Sequence, residues 1–136
     1  MSHYSKIETQ IMEKDSLIKA LRDMGCEEIE EHEQAQNLYG YQGDVRPEQA
    51  NIIIRRKFIS AESNDVGFRL TTEGTYEAIV SEYDQELLGS DWVGKVCQNY
   101  AEHVVVSKLE QQGFQVAEKK IDPVTQKVHL VLKRGA

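Results

Sequence analysis

Seven stretches of this chain read as strands and only two as helices, and that ratio constrains the fold more than anything else in the sequence. Tyr4 to Met12 alternates, with Ser5, Ile7, Thr9 and Ile11 forming the less polar side of a half-buried strand. Leu17, Ala20, Leu21 and Met24 then repeat at helical spacing, with Asp15 or Ser16 available as a cap and Gly25 as the terminator. The acidic run Cys26 to Glu33 follows directly, and its place after a helix-ending glycine favours a strand. Tyr39 to Asp44 is turn-rich and Pro47 extends that loop. Asn51 to Phe58 opens with three isoleucines and reads as a central strand, and Ser60 to Asp65 as a polar loop. Val66 to Thr72 and Tyr76 to Tyr83 form a hairpin about Glu73-Gly74. Ser90 and Asp91 offer caps for a long helix from Trp92 to about Gln112, striped by Val93, Val96 or Cys97, Tyr100, Val104 and Leu109. Gly113 ends it, and two strands, Phe114 to Ile121 and Lys127 to Lys133, join through a turn at Asp122-Pro123.

The order is therefore β-α-β-β-β-β-α-β-β. Two helices cannot cover both faces of so many strands. The expected fold is a single α+β domain over residues 1–136: a two-layer sandwich with a mostly antiparallel six- to seven-stranded sheet and both helices on one face. The opposite face is then left polar or open to a partner.

Composition narrows the function classes. Sixteen basic against 23 acidic residues leave a net charge of −7, which repels a phosphate backbone, so nucleic-acid binding would rest on the short cluster Arg55-Arg56-Lys57 alone. No uninterrupted apolar run exceeds three residues, which excludes a membrane-spanning helix. Cys26 and Cys97 stand 71 positions apart, in no CxxC pair, and read as reduced thiols. The first six residues lead into no apolar signal segment, Ser2 stands where myristoylation needs glycine, and the carboxyl end offers no prenylation cysteine. These features imply a soluble intracellular, cytoplasmic protein.

The four histidines lie on four different segments with no HxH or HExxH spacing, so no metal or other cofactor is expected. No GxSxG, P-loop or GxGxxG occurs. A metal- or ligand-dependent enzyme would have to build its pocket near Tyr100, Glu102 and His103. The Glu27 to Glu33 run and Arg55-Arg56-Lys57 match in charge as neighbouring strands, giving ion pairs worth roughly 0.2–1 kcal/mol each. Alternatively Arg55 and Arg56 attract an acidic partner. Tyr39 and Tyr41 on a loop, with Trp92 after another, are either interface anchors or caps on the core.

Several segments resemble, in order along nearly the whole chain, the hypothetical chloroplast reading frame thirty-five family of cyanobacterial and plastid-encoded proteins, also catalogued as a domain of unknown function. They are Ser2 to Ile11, Leu17 to Leu21, Tyr39-Gly40-Tyr41-Gln42-Gly43, Ile53-Ile54-Arg55-Arg56, Asp65-Val66-Gly67-Phe68, Tyr100 to Val105 and Gln112-Gly113-Phe114. Members commonly carry a Trp-rich stretch after the hairpin, where this chain has Trp92. The resemblance implies a cyanobacterial cytosol or plastid stroma and brings no settled activity. The expectation from the residues is a non-enzymatic protein-binding or adaptor module. Its partner is an unidentified protein or a second copy, engaged through the uncovered sheet face and Tyr39, Tyr41, Arg55, Arg56 and Trp92.

Overall fold

The computed structural model describes residues 3–134; Met1, Ser2, Gly135 and Ala136, on which part of the terminal readings rests, lie outside it. The chain divides into two compact units, residues 1–100 and 101–136. Its elements are β1 (Tyr4–Glu8), α1 (Lys14–Asp23), β2 (Glu30–Tyr39), β3 (Val45–Ile54), a 3₁₀ turn (Arg56–Phe58), β4 (Val66–Leu70), β5 (Tyr76–Ser81), α2 (Glu82–Leu88), α3 (Trp92–Gln111), β6 (Phe114–Ile121) and β7 (Val128–Arg134). No helix among these residues is long and apolar enough to cross a membrane.

The fold is α+β, with antiparallel pairing throughout. Instead of one sheet of six or seven strands there are two: five strands in the order β1-β5-β4-β3-β2, and the separate hairpin β6-β7. In the first unit β1 and β2 are the sheet edges. The register sets Ile52 against Phe68 and Phe68 against Ala78, so Ile52, Ile54, Val66, Phe68, Tyr76, Ala78 and Val80 share one face. Leu17, Ile18 and Leu21 of α1 and Trp92 and Val96 of α3 pack on that same face, as the helix count required.

α1 begins at Lys14, so Asp15 and Ser16 lie inside it, and Glu13 stands at the cap without a side-chain bond. The Tyr100 hydroxyl instead accepts the Met12 and Glu13 amides, both at 2.9 Å, where a helix start leaves donors unpaired. Gly25 and Gly113 close α1 and α3 with φ of +93° and +89°, a conformation that costs other residues energy. α2 sits where the strand from Tyr76 was expected to run on. Its signal is Ser81-x-x-Asp84: the Ser81 hydroxyl accepts the Asp84 amide at 3.1 Å and caps the helix.

The second face of the sheet is not open. Leu38, Ala50, Ile53 and Ile79 form a second core there, each fully buried. The cause lies at Asn51. β3 pairs with β4 only from Ile52 to Ile54, and beyond that point the Asn51 carboxamide oxygen accepts the Leu70 amide at 2.9 Å in place of a strand carbonyl. Its nitrogen donates to the carbonyls of His32 and Glu33 where β2 bulges. The outer half of the β2–β3 ribbon therefore leaves β4 and folds back across the face. Ala50 comes so close to Gly67 that a Cβ at Gly67 would stand 2.4 Å from the Ala50 methyl. Farther along the ribbon, the Arg46 guanidinium lies 5.5 Å over the Tyr4 ring of β1. Pro47, read as loop, is part of β3, and having left β4 this half of the strand loses no ladder bond to it through a missing N–H.

The second unit is built from the end of α3 and the β6–β7 hairpin, with Glu102 and Lys119 paired at 2.7 Å. The Asp122 carboxylate accepts the Val124 and Thr125 amides at 2.8 and 2.9 Å and shapes the turn. Those bonds hold its carboxyl below the usual range. None of the described residues from Ala101 onward is fully buried.

Candidate functional site

The most ordered chemistry in the first unit surrounds Asp65, which follows a polar loop and is wholly buried. A buried carboxylate needs compensating donors, and Asp65 has them. One carboxylate oxygen accepts the Arg56 amide at 2.7 Å; the other accepts the Tyr39 amide at 2.7 Å and Arg55 Nη1 at 2.8 Å. Its own amide donates to the Tyr39 carbonyl and its carbonyl accepts the Tyr4 hydroxyl at 2.8 Å. Burial pushes the Tyr4 hydroxyl pKa up, and the charges of Asp65 and Asp84 push it the same way, so it remains a donor.

Arg55 bridges this centre to β2. Its Nε and Nη2 meet the two Glu30 oxygens at 2.8 and 3.0 Å, a two-pronged pair, while its guanidinium lies 5.2 Å from the Tyr39 ring centre. The hydrogen bond from Arg55 holds the Glu30 carboxyl below its ordinary range, with a smaller contribution from His32, whose Nε2 is 2.8 Å away. Of the expected charge matching between the acidic run and the basic cluster, this pair is the part the fold uses.

Arg56 turns to carbonyls. It donates to Ser63, Ala61 and Tyr41 and ties the loops at 40–44 and 56–63 together. A second layer lies behind: the Asn64 carboxamide accepts the Tyr41 amide at 2.9 Å and donates to Ser81 and Asp84. The buried Asp84 also takes the Asn64 amide and the Ser81 hydroxyl on Oδ2, while its Oδ1 makes no hydrogen bond. Two loops and the start of α2 are thus fixed by side chains that are buried or half-buried.

Four aromatic side chains stand exposed on and beside these loops. Tyr39 and Tyr41 are each 40% exposed, Phe58 51% and Tyr83 39%. Lys57 lies 4.9 Å over the Phe58 ring, and the Tyr83 hydroxyl donates to Glu62 at 3.0 Å, which raises its pKa. Of the five residues singled out in the sequence, the fold brings Tyr39, Tyr41, Arg55 and Arg56 into one network. The tyrosines are the exposed members, while the two arginines are half-buried with their guanidinium groups engaged within the chain. Trp92 takes the second of the two roles its sequence position allows, a cap on the core. It is 7% exposed and packs in the helix-covered core, its ring centre 6.3 Å from that of Phe68. Its position opening α3 points it at the sheet, so it caps the core and leaves no face for a partner.

Sequence reasoning passed over Asp65, Asn64 and Asp84, because a polar loop reads the same whether its side chains face water or each other. Phe58 and Tyr83 were assigned to strands. Around the other proposed pocket, Glu102 is paired with Lys119, and the Tyr100 hydroxyl is engaged at α1. No three His, Cys, Asp or Glu residues among those described converge as a metal set. Burial raises the thiol pKa of Cys26 and of Cys97, which keeps both protonated and sluggish as nucleophiles. Two clefts of about 300 and 290 Å³ adjoin Tyr76, one lined by Lys14, Glu31 and His32, the other mainly by threonines and glutamates; neither contains the Asp65 network.

A family model described as "Protein of unknown function (DUF1257)" matches residues 20–131. The "Uncharacterized protein ycf35" of Cyanophora paradoxa is 25% identical over 124 residues, covering 90% of this chain and 89% of that protein. No solved structure matches the chain.

Proposed function

This chain belongs to the DUF1257 family, and on that premise we propose that it is a non-enzymatic protein-binding or adaptor module, working in the cytoplasm or plastid stroma, whose docking surface is the aromatic loop cluster around Asp65. The observation that carries the reading is the pairing of exposed Tyr39, Tyr41, Phe58 and Tyr83 with a buried polar network that fixes the backbone beneath them. Large rigid aromatics are the residues that most often dominate binding energy. Binding ordinarily costs about 0.5–1.5 kcal/mol for each flexible side chain it immobilises, and loops already held in place avoid a further ordering cost.

Arg55 and Arg56 act in this reading from below, as positioning residues, and Lys57 is the basic residue left exposed at the surface. The sheet face plays no part, since the β2–β3 ribbon covers it. Nucleic-acid binding is disfavoured because both guanidinium groups are engaged by hydrogen bonds within the chain and the net charge is −7.

The test compares affinity capture from the natural extract by the wild-type chain and by the Tyr39→Ser/Tyr41→Ser double variant, which keeps every backbone hydrogen bond of the network and removes the two rings, with circular dichroism confirming that the variant is folded. A protein recovered in stoichiometric amount by the first and reduced about tenfold or more by the second, equivalent to about 1.4 kcal/mol, is the expected result. Strictly monomeric wild-type protein with no co-purifying partner, or capture indifferent to both tyrosines, contradicts the reading.

A further inference from the structure

The loop cluster leaves the second unit unexplained, and its hairpin carries a separate signal. β6 and β7 pair only with each other among the described residues, so each has an outer edge of unpaired backbone groups. The two edges are not equivalent. β6 is guarded in the usual ways: its register breaks in a bulge between Val116 and Glu118, and Lys119 and Lys120 follow at once. β7 runs in unbroken register from Val128 to Val131, has no proline, and places Leu130-Val131-Leu132 at its middle, with Val131 44% and Leu132 37% exposed. A two-stranded hairpin is marginal in isolation, and a unit without a fully buried residue gains most from a third strand.

The pairing also sorts the side chains. Val116, Leu132, Leu130, Val128 and Ile121 lie on one face of the hairpin with Phe114, Lys119 and Arg134; Lys120, His129, Val131 and Lys133 lie on the other with Gln115 and Glu118. Residues 114–134 hold five basic and two acidic side chains, whereas residues 1–100 hold ten basic and nineteen acidic. In a chain of net charge −7 the hairpin is the basic part. Two-fold pairing of β7 with a second copy, centred on Val131, would bring Lys133 of one copy into one row with Lys120 of the other and gather like charge. An incoming strand with carboxylates at those places meets the opposite charge.

We propose that the open edge of β7 takes up an extended acidic segment of a partner protein as an added strand. Its backbone pairs with Val128–Arg134, its carboxylates stand beside His129 and Lys133, and its apolar side chains extend the face formed by Leu130 and Leu132. This surface is independent of the aromatic loops.

The experiment titrates the full chain, followed by amide chemical shifts and amide exchange, with an eight-residue peptide alternating glutamate and valine. The control peptide alternates lysine and valine. The expected result is slowed exchange confined to β7 with the acidic peptide alone. Lys133→Glu should weaken binding about tenfold, and Val131→Glu, which sets a like charge against the peptide's carboxylates at an exposed position, should weaken it further. Tyr39→Ser/Tyr41→Ser should leave it unchanged, which separates this proposal from the loop reading. Equal binding of both peptides, no response in β7, or concentration-dependent dimerisation through β7 without peptide would each overturn it.

Discussion

Asp65→Asn is the sharpest single test of the network beneath the aromatic loops. The side chain keeps its shape and loses its charge and one acceptor. With the amide oxygen toward Tyr39 and Arg55, the Arg56 amide, now 2.7 Å from a carboxylate oxygen, faces an NH₂ group. In the other orientation the Tyr39 amide and Arg55 Nη1 both face it. Either way at least one buried backbone donor is stranded, at about 1–3 kcal/mol. Arg55 keeps Glu30 but loses its only fully buried counter-charge, and breaking a buried pair from one side costs about 3–5 kcal/mol. The two costs overlap, so the expected loss is about 3–5 kcal/mol. Urea unfolding followed by circular dichroism measures it. With a slope of about 1–3 kcal/mol per molar urea, the midpoint should fall by at least about 1 M. A loss below about 1 kcal/mol would refute the reasoning, because an exposed or loosely held aspartate behaves that way.

Gly67→Ala forces a methyl against Ala50 and should destabilise by about 1–3 kcal/mol, the usual range for overpacking; adding Ala50→Gly should restore most of it, as thermal denaturation of the single and double variants will tell. Glu30 has a depressed folded-state pKa, so its contribution is present above the ordinary glutamate range and is lost as pH falls through the folded value. Stability should therefore drop on acidification below the usual glutamate range, and Glu30→Gln should flatten that limb of a pH–stability curve. The Cys26 and Cys97 thiols, raised by burial, should react with a thiol reagent more slowly than a free thiol at neutral pH and gain their rate only at higher pH.

The α+β class was legible because its signals are local. Alternation marks β1, glycine closes both long helices, and Glu73-Gly74 turns the β4–β5 hairpin. What the residues did not announce depends on side chains meeting across long separations. The sequence from Val45 to Ala50 is mostly polar and contains Pro47, so it reads as loop. It becomes strand because Asn51 diverts β3 off β4 and the ribbon finds Gly67 and Tyr4 on the far face. That single turn removes the open sheet face on which a docking site was expected. The candidate site was half visible: the tyrosines and arginines stand out by residue type. Asp65, Asn64 and Asp84 do not, since nothing in Ser60 to Asp65 distinguishes polar groups turned inward from those in water. Trp92 was legible only as one of two alternatives, because an aromatic at the end of a loop reads the same whether or not the first turn of α3 carries it into the core.

The claim underlying the whole account is that the loops bearing Tyr39 and Tyr41 are assembled before any partner arrives. Amide hydrogen exchange reads this directly at Tyr39, Tyr41, Arg56 and Asn64, whose N–H groups are held by Asp65, Asn64, Asp65 and Asp84. Protection close to that of Ile53 and Ile79 in the free protein is the predicted result. Exchange at the rate of an unstructured loop would contradict it.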